Sequence, residues 1–463
     1  MANEFIVRNG FISRDTSFVE GTLNVTTLSA TTYQNLPVSG LTQGSNIIIT
    51  QNNSNYTISA SITTGPFGIS DSGGTYTFYN TLSSAMSAAT SGQTIEMFTD
   101  VTETGNVSIT LKQGVSINGK GNTYTYTNNS GTTFIYPLSG ATDSVFDFLD
   151  FNIRRVNTTS TGAPIFGSFT NTSGFANTTL NFINSTATYT VTSGDSPIVG
   201  AINVLHRVTV NGLNCTSNGS GTSINCITAN FCTIICNGTS AGFTGGSTSR
   251  INNSRITTTS GNGVFNSNVS FCTITCTSSG IGASECPSVT DSNITTNTGN
   301  GLKCGDTISQ GEAIRCNVFS TSGICFRRVV AQNCIASTGS NYVVDYWFHS
   351  FVQISPKFYR NYFVNSSSLA TVHSPIVGNI VEFVDSTIIQ NGSGPGVLVA
   401  GTLQEIINCT IMVTGNTANC ITASSASNLK YINNKFKGTT IPINANITQQ
   451  TINTFDNQGN ILL

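Results

Sequence analysis

Apolar and polar positions along most of the chain fall into one six-residue phrase: apolar, any, variable, small, any, apolar. Thirteen copies fit it, among them Ile251-Asn-Asn-Ser-Arg-Ile256, Val289-Thr-Asp-Ser-Asn-Ile294, Phe383-Val-Asp-Ser-Thr-Ile388 and Ile406-Ile-Asn-Cys-Thr-Ile411. They end at residues 153, 187, 215, 234, 256, 274, 294, 318, 336, 363, 388, 411 and 436, at intervals of 18 to 34 residues. Self-similarity at such a period marks a solenoid or array. Each phrase is rich in β-branched and aromatic residues between turn formers, and reads as a short strand. A Ser/Thr/Gly/Asn turn and a further short apolar run follow, as in Asn297-Thr-Gly-Asn-Gly-Leu302. With no helix inside, each period holds about three short strands and three turns, one coil of a β-helix. The expected fold is all-β: a right-handed parallel β-helix solenoid. At a strand spacing of about 4.8 Å, residues 115–455 would form a rod roughly 70 Å long.

The fourth slot of the phrase holds Ser185, Cys232, Ser254, Cys272, Ser292, Cys316, Cys334, Asn361, Ser386, Cys409 and Asn434, with Phe151 and Leu213 as the large exceptions. Interchange of Ser, Cys and Asn down one column predicts a tight, inward-facing corner. Ahead of the regular coils, Leu82, Met86 and Ala89 lie at helical spacing, with Thr81 or Asn80 as N-cap and Gly92 as stop. This order predicts a short N-terminal helix capping the open first coil, whose bare strand edge would otherwise invite aggregation. The resulting organisation is 1–66 as an extended N-terminal attachment segment and trimeric shaft, 67–455 as the β-helix and 456–463 as a C-terminal tail. Within the first segment, residues 40–60 read as a hairpin across Gln51–Ser54.

Composition changes this picture in three ways. Charged residues are only 8% of the chain, so Ser, Thr, Asn and Gly must solvate the surface. With 18 basic and 20 acidic side chains and no basic run, the chain has no electrostatic footprint for nucleic acid. No stretch approaches 18 consecutive apolar residues, so no membrane insertion is expected, and the first ten residues have no apolar signal core. The protein is expected to be made in a cytoplasm. The 13 cysteines are odd in number and share no spacing with the three histidines. They read as free, buried packing residues, with no metal and no cofactor expected.

Residues 1–66 have too few large apolar side chains for a core of their own, and are expected to associate with other copies. Their phrases Gly21-Thr-Leu-Asn-Val-Thr-Thr-Leu-Ser-Ala-Thr-Thr-Tyr33 and Gly40-Leu-Thr-Gln-Gly-Ser-Asn-Ile-Ile-Ile-Thr50 resemble the N-terminal shaft of bacteriophage tail-fibre and tailspike proteins. The helix-then-coil order resembles the entry to pectin-lyase-like β-helices. The resemblance implies a virion fibre or spike, a homotrimer whose N-terminus binds other virion proteins and whose β-helix recognises a host-surface glycan or protein. The alternative is a depolymerising tailspike, a polysaccharide hydrolase or lyase.

Catalysis on this fold must be argued from residues. A glycosidase needs two carboxylates about 5–9 Å apart. The third slot holds Asp150, Asp291 and Asp385, none with an acid one coil away. The stacked alternative is Glu285 with Asp306, set against a plain reading as solvated carboxylates at turn tips. Asp143, Asp147 and Asp150 are scattered over both faces of a strand by their spacing. Arg327, Arg328, Glu312 and Arg315 read as surface charges. The scarcity of paired acids favours a non-enzymatic fibre. For recognition, Tyr342, Asp345, Tyr346, Trp347 and His349 lie where one coil is lengthened and aromatic residues crowd. Alternation cannot bury Tyr342, Tyr346, Trp347, Phe348 and Phe351 all on one inward face, so some should project or meet another subunit; the plain reading is that these rings fill a trimer interface or a coil core.

Overall fold

A computed structural model describes residues 47–52, 55–60, 65–105, 108–128, 135–137, 144–157, 165–167, 178–191, 202–203, 208–218, 222–239, 241–304, 311–346, 357–374, 380–399, 403–414, 419–423, 428–437 and 461–462. The chain divides into two units, Met1–Thr63 and Thr64–Leu463. In the first, strands Ile47–Asn52 and Asn55–Ala60 pair antiparallel, in register from Ile47 with Ala60 to Asn52 with Asn55, so the expected hairpin forms. The shaft phrase at residues 21–33 lies outside the described residues.

The second unit is a right-handed parallel β-helix. Each coil gives one strand to each of three parallel ladders; among the described residues the first sheet has 17 strands, 15 parallel and two antiparallel at its open end, the second 16 and the third 14. The thirteen phrase ends form one unbroken column of the second sheet, Ile153 on Ala187, Cys215, Ile234, Ile256, Ile274, Ile294, Val318, Ala336, Phe363, Ile388, Ile411 and Phe436. All of these are buried. Only an inward position must be apolar in every coil, which is why the phrase marks it so regularly.

The phrase itself is not one strand. Its first two residues end a strand of the first sheet and its last two begin a strand of the second, as with Arg250–Asn252 and Arg255–Thr258. Between them the third slot is left-handed in every coil, from Asp150 at φ 45° and Asn184 at 51° to Asn408 at 53° and Asn433 at 55°, with Gly212 at 73°. This single left-handed residue turns the chain from one sheet into the next. The turn strands one backbone N–H per coil at the fourth slot. The fourth-slot side chain of the next coil satisfies it: Cys232 N–H donates to Ser254 Oγ at 3.0 Å, Cys272 N–H to Ser292 Oγ at 3.0 Å, Cys334 N–H to Asn361 Oδ1 at 3.0 Å and Cys409 N–H to Asn434 Oδ1 at 2.8 Å. The slot therefore needs a small inward acceptor, which Ser, Cys and Asn all supply.

All 13 cysteines are free and buried. Burial pushes the Cys232 and Cys272 thiols up to about 11 and the Cys286 thiol up to about 12. At pH 8 these thiols are therefore expected to ignore a small disulfide reagent in the native protein. All 13 should react once guanidinium unfolds the chain without reductant. A smaller denatured count would reveal disulfides. Cys272→Ser should cost only about 1–2 kcal/mol, because the hydroxyl inherits a carbonyl acceptor at the corner. In the native protein Cys272 Sγ donates to Ser270 O at 3.2 Å.

The open end of the solenoid is closed by more than a helix. Helix Leu82–Ala88 forms as expected, with Thr81 Oγ1 accepting from Ser84 N–H at 3.1 Å and Leu82, Ala85 and Met86 turned inward. Ahead of it, Phe67–Ser70 lies antiparallel between Tyr76–Tyr79 and Thr94–Met97, the first strand of the parallel ladder. The sequence predicted the helix alone as the cover. The free hydrogen-bonding edge of that first strand is what the antiparallel pair satisfies. On the second sheet, one outward column carries Thr216, Ile235, Thr257, Thr275 and Thr295 in early coils, Ile235 being its one exposed apolar member there. The outward face turns apolar later, with Phe319, Ile335 and Tyr362 exposed and Val364, Ile389 and Met412 half-buried.

Candidate recognition site

Strands of the third sheet are only two or three residues long, so each coil presents about one outward side chain there. In four consecutive coils that side chain is charged or ionisable: Lys303, Arg327, Asp345 and His373 pair in register down one column. Their partners on the same strands, Leu302, Phe326, Val344 and Val372, point inward and are buried. That alternation fixes the polar four on the surface.

The lower half of the column is a built cluster. His373 Nδ1 lies 2.9 Å from Asp345 Oδ1, with side chains 22% and 14% exposed, so the pair is sheltered yet reachable. The ring of Tyr342 stacks on the imidazole at 4.6 Å between centroids and 18° between planes. Burial, and secondly the Asp345 charge, raise the Tyr342 phenol above its ordinary value, so it stays a neutral donor at physiological pH. Tyr342 is held from behind: its N–H donates to Asn341 Oδ1 at 2.9 Å, and the Asn341 carbonyl accepts from Ser367 Oγ at 3.1 Å. Nδ1 faces the Asp345 carboxylate, so Nε2 is the ring's second polar atom. Imidazole, phenol donor, carboxylate and the cations Lys303 and Arg327 of the same column are together suited to grip a hydroxyl-rich or anionic ligand.

The structure sorts the sequence candidates. Tyr342 and Asp345 come together, and both join His373, a residue that sequence reading passed over. Tyr346 does not belong to the surface: it is 1% exposed and meets Phe358 edge-on at 5.7 Å in the core, because it falls on the inward phase just past strand Val344–Asp345. Trp347 and His349 lie outside the described residues. Glu285 is not a solvated turn-tip carboxylate. It is fully buried at a left-handed corner, φ 54°, with its N–H donating to the Lys303 carbonyl at 2.7 Å. Its stacking candidate Asp306 also lies outside the described residues. Arg315 grips Asp291 through two bonds of 2.6 and 2.7 Å, and Glu312 accepts from Gln332 Nε2 at 2.7 Å.

Both missed features had a signal in the spacing. Lys303, Arg327 and Asp345 each sit nine residues after a phrase end, and His373 ten. Counting forward from the phrase would have aligned them. Counting back one residue from each phrase aligns Lys357, Glu382, Glu405 and Lys430, which the first sheet brings into register. Lys357 Nζ lies 2.8 Å from Glu382 Oε2. Glu382 and Glu405 are thus acids on neighbouring coils, the pairing that the third slot lacks.

No family model matches the chain, and no curated protein matches it. Among solved structures, it is similar to the A-module of the mannuronan C-5 epimerase AlgE4 of Azotobacter vinelandii, at 14% identity and a TM-score of 0.31 over 79% of this chain and 93% of that one. The A-module of AlgE6 from the same organism aligns at 10% identity and a TM-score of 0.23, over 82% of this chain and 93% of that one.

Proposed function

We propose that this chain is a bacteriophage fibre or spike protein, attached to the particle by its N-terminal segment and presenting its β-helix to a host-surface glycan or protein. The observation that carries the recognition role is the sheltered Tyr342–His373–Asp345 cluster on the outward column of the third sheet. The phrases at residues 21–50 support the fibre. The apolar outer face formed by Phe319, Ile335 and Tyr362 supports a homotrimer, since such a strip is best covered by another copy. Light scattering at micromolar concentration should give three times the chain mass, and a stable monomer would sink the trimer. Tyr342→Ala and His373→Ala should each weaken binding of the labelled protein to host cells about tenfold, without changing the melting curve. Unchanged binding would remove the cluster from recognition.

A second reading, cleavage of a surface polysaccharide, is favoured by one observation. Glu382 and Glu405 pair in register on neighbouring coils, which sets two acids on one face of the first sheet as glycoside hydrolysis requires. A reducing-end assay on host-envelope polysaccharide decides it. Product formation abolished by Glu405→Gln would establish the enzyme, and none from the unaltered chain would leave the fibre.

A further inference from the structure

A second surface, on the corner between the first and second sheets, has features that the proposed role does not use. The left-handed corner residue is Asn, Asp or Gly in most coils, the types that tolerate positive φ. At Phe231 and Phe271 it is a phenylalanine, at φ 55° and 53°, and the rings stand 67% and 59% exposed. A bulky residue there costs on the order of 1 kcal/mol in strain, and these rings recover little of it by burial. The coil between them carries Asn253 at its corner, flanked by Arg250 and Arg255, both exposed. Arg250 begins the strand that ends at Asn252, and Arg255 begins the next strand. From residue 196 to 284 the sequence contains no Asp or Glu at all. The next corner in line after Phe271 carries Asp291, which Arg315 already holds.

Beside the corner runs an amide ladder. Asn181 Nδ2 donates to Asp147 Oδ1 at 2.9 Å, Asn211 to Asn181 Oδ1 at 2.8 Å, Asn230 to Asn211 Oδ1 at 2.9 Å and Asn252 to Asn230 Oδ1 at 3.0 Å. The ladder engages one N–H and one lone pair of each interior amide, so each has a second of both to offer. These recur at the coil spacing of about 4.8 Å. Two aromatic faces about two coils apart, two cations between them and a periodic row of amides make a surface for a ligand that is ring-built, hydroxylated and anionic.

We propose that this corner binds an anionic glycan, a saccharide chain carrying carboxylate groups. Phe231 and Phe271 stack on sugar rings, Arg250 and Arg255 take the carboxylates, and Asn230 and Asn252 bond to hydroxyls. The proposal stands whether or not the chain is a virion fibre. A single-stranded nucleic acid also offers rings and negative charge, but two cations are few for a phosphate at every unit, and the amide row suits hydroxyls.

Affinity electrophoresis of the full chain through gels containing polygalacturonate, dextran or an oligothymidylate single strand tests this. Retention by polygalacturonate alone is expected, weakening as salt rises. The pair Phe231→Asn with Phe271→Asn, and separately the pair Arg250→Gln with Arg255→Gln, should each reduce retention about tenfold. Asn suits the corner conformation, so the first pair should melt at or above the temperature of the unaltered protein, and lost retention then reports the surface itself. Equal retention of the variants, no retention of the unaltered chain, or equally strong retention by the oligothymidylate overturns the proposal. So does a Phe-pair variant that sediments as a smaller species, which would assign the rings to contact between copies.

Discussion

Phe383→Ala is expected to destabilise the β-helix by about 3–5 kcal/mol, read as a lower guanidinium midpoint at unchanged slope. Phe383 is fully buried and stacks on Phe358 of the preceding coil at 4.7 Å and 14°, while Phe358 meets Tyr346 edge-on at 5.7 Å. Truncation removes one ring from a cluster of three, and the neighbours cannot collapse into the gap. Coil spacing is fixed on both sides by ladder hydrogen bonds, so the cavity stays. The matching control is Tyr362→Ala on the outward face of the adjoining sheet, where the ring is 43% exposed and the monomeric fold should lose less than about 1 kcal/mol. Equal losses at the two sites would show that the aromatic cluster is not a packed core.

Gly299→Val is expected to cost about 3 kcal/mol or more, through overpacking against backbone that cannot retreat. A Cβ at Gly299 would lie 2.0 Å from the carbonyl oxygen of Gly280, one at Gly280 2.1 Å from that of Gly261, and one at Gly323 1.9 Å from that of Gly299. The turn after the second sheet stacks so closely that a glycine column is required there. Gly246→Ala is the contrasting substitution, with nothing within 4 Å of the added carbon, and should be neutral. Melting followed by circular dichroism separates the two. A Gly299→Val protein melting with the unaltered chain would show that these turns have slack.

How much was legible follows from which positions must repeat. The inward column from Ile153 to Phe436 needs an apolar residue in every coil, so a six-residue phrase revealed the fold and its register. The corner was only half legible. Asn253, Asn333 and Asn408 hint at positive φ, but Phe231, Phe271, Arg315 and Arg360 occupy the same position and disguise it as strand. The antiparallel pair of Phe67–Ser70 and Tyr76–Tyr79 was missed because it occurs once and has no period to betray it. The Lys303–His373 column was missed for another reason. Strands of two residues have no alternation of their own, and their alignment appears only after counting from a phrase elsewhere in the coil. Glu285 shows the opposite limit. A glutamate between Ser284 and Cys286 looks like a turn-tip charge, yet coil closure carries it inside.

The in-register column also bears on how such a chain changes length over generations. Ile274 sits directly on Ile294, so residues 275–294 close one full circuit and end where they began. An in-frame loss of those sixty nucleotides would join Ile274 to Thr295, give the hybrid strand sequence Thr-Ile-Thr-Thr, and seat the following circuit on the one before. The gene can therefore gain or shed axial reach in steps of about 4.8 Å without inventing a new seam. Unequal crossing-over within the repeats becomes a ruler, and a lineage adjusting its reach need never pass through an unfolded intermediate.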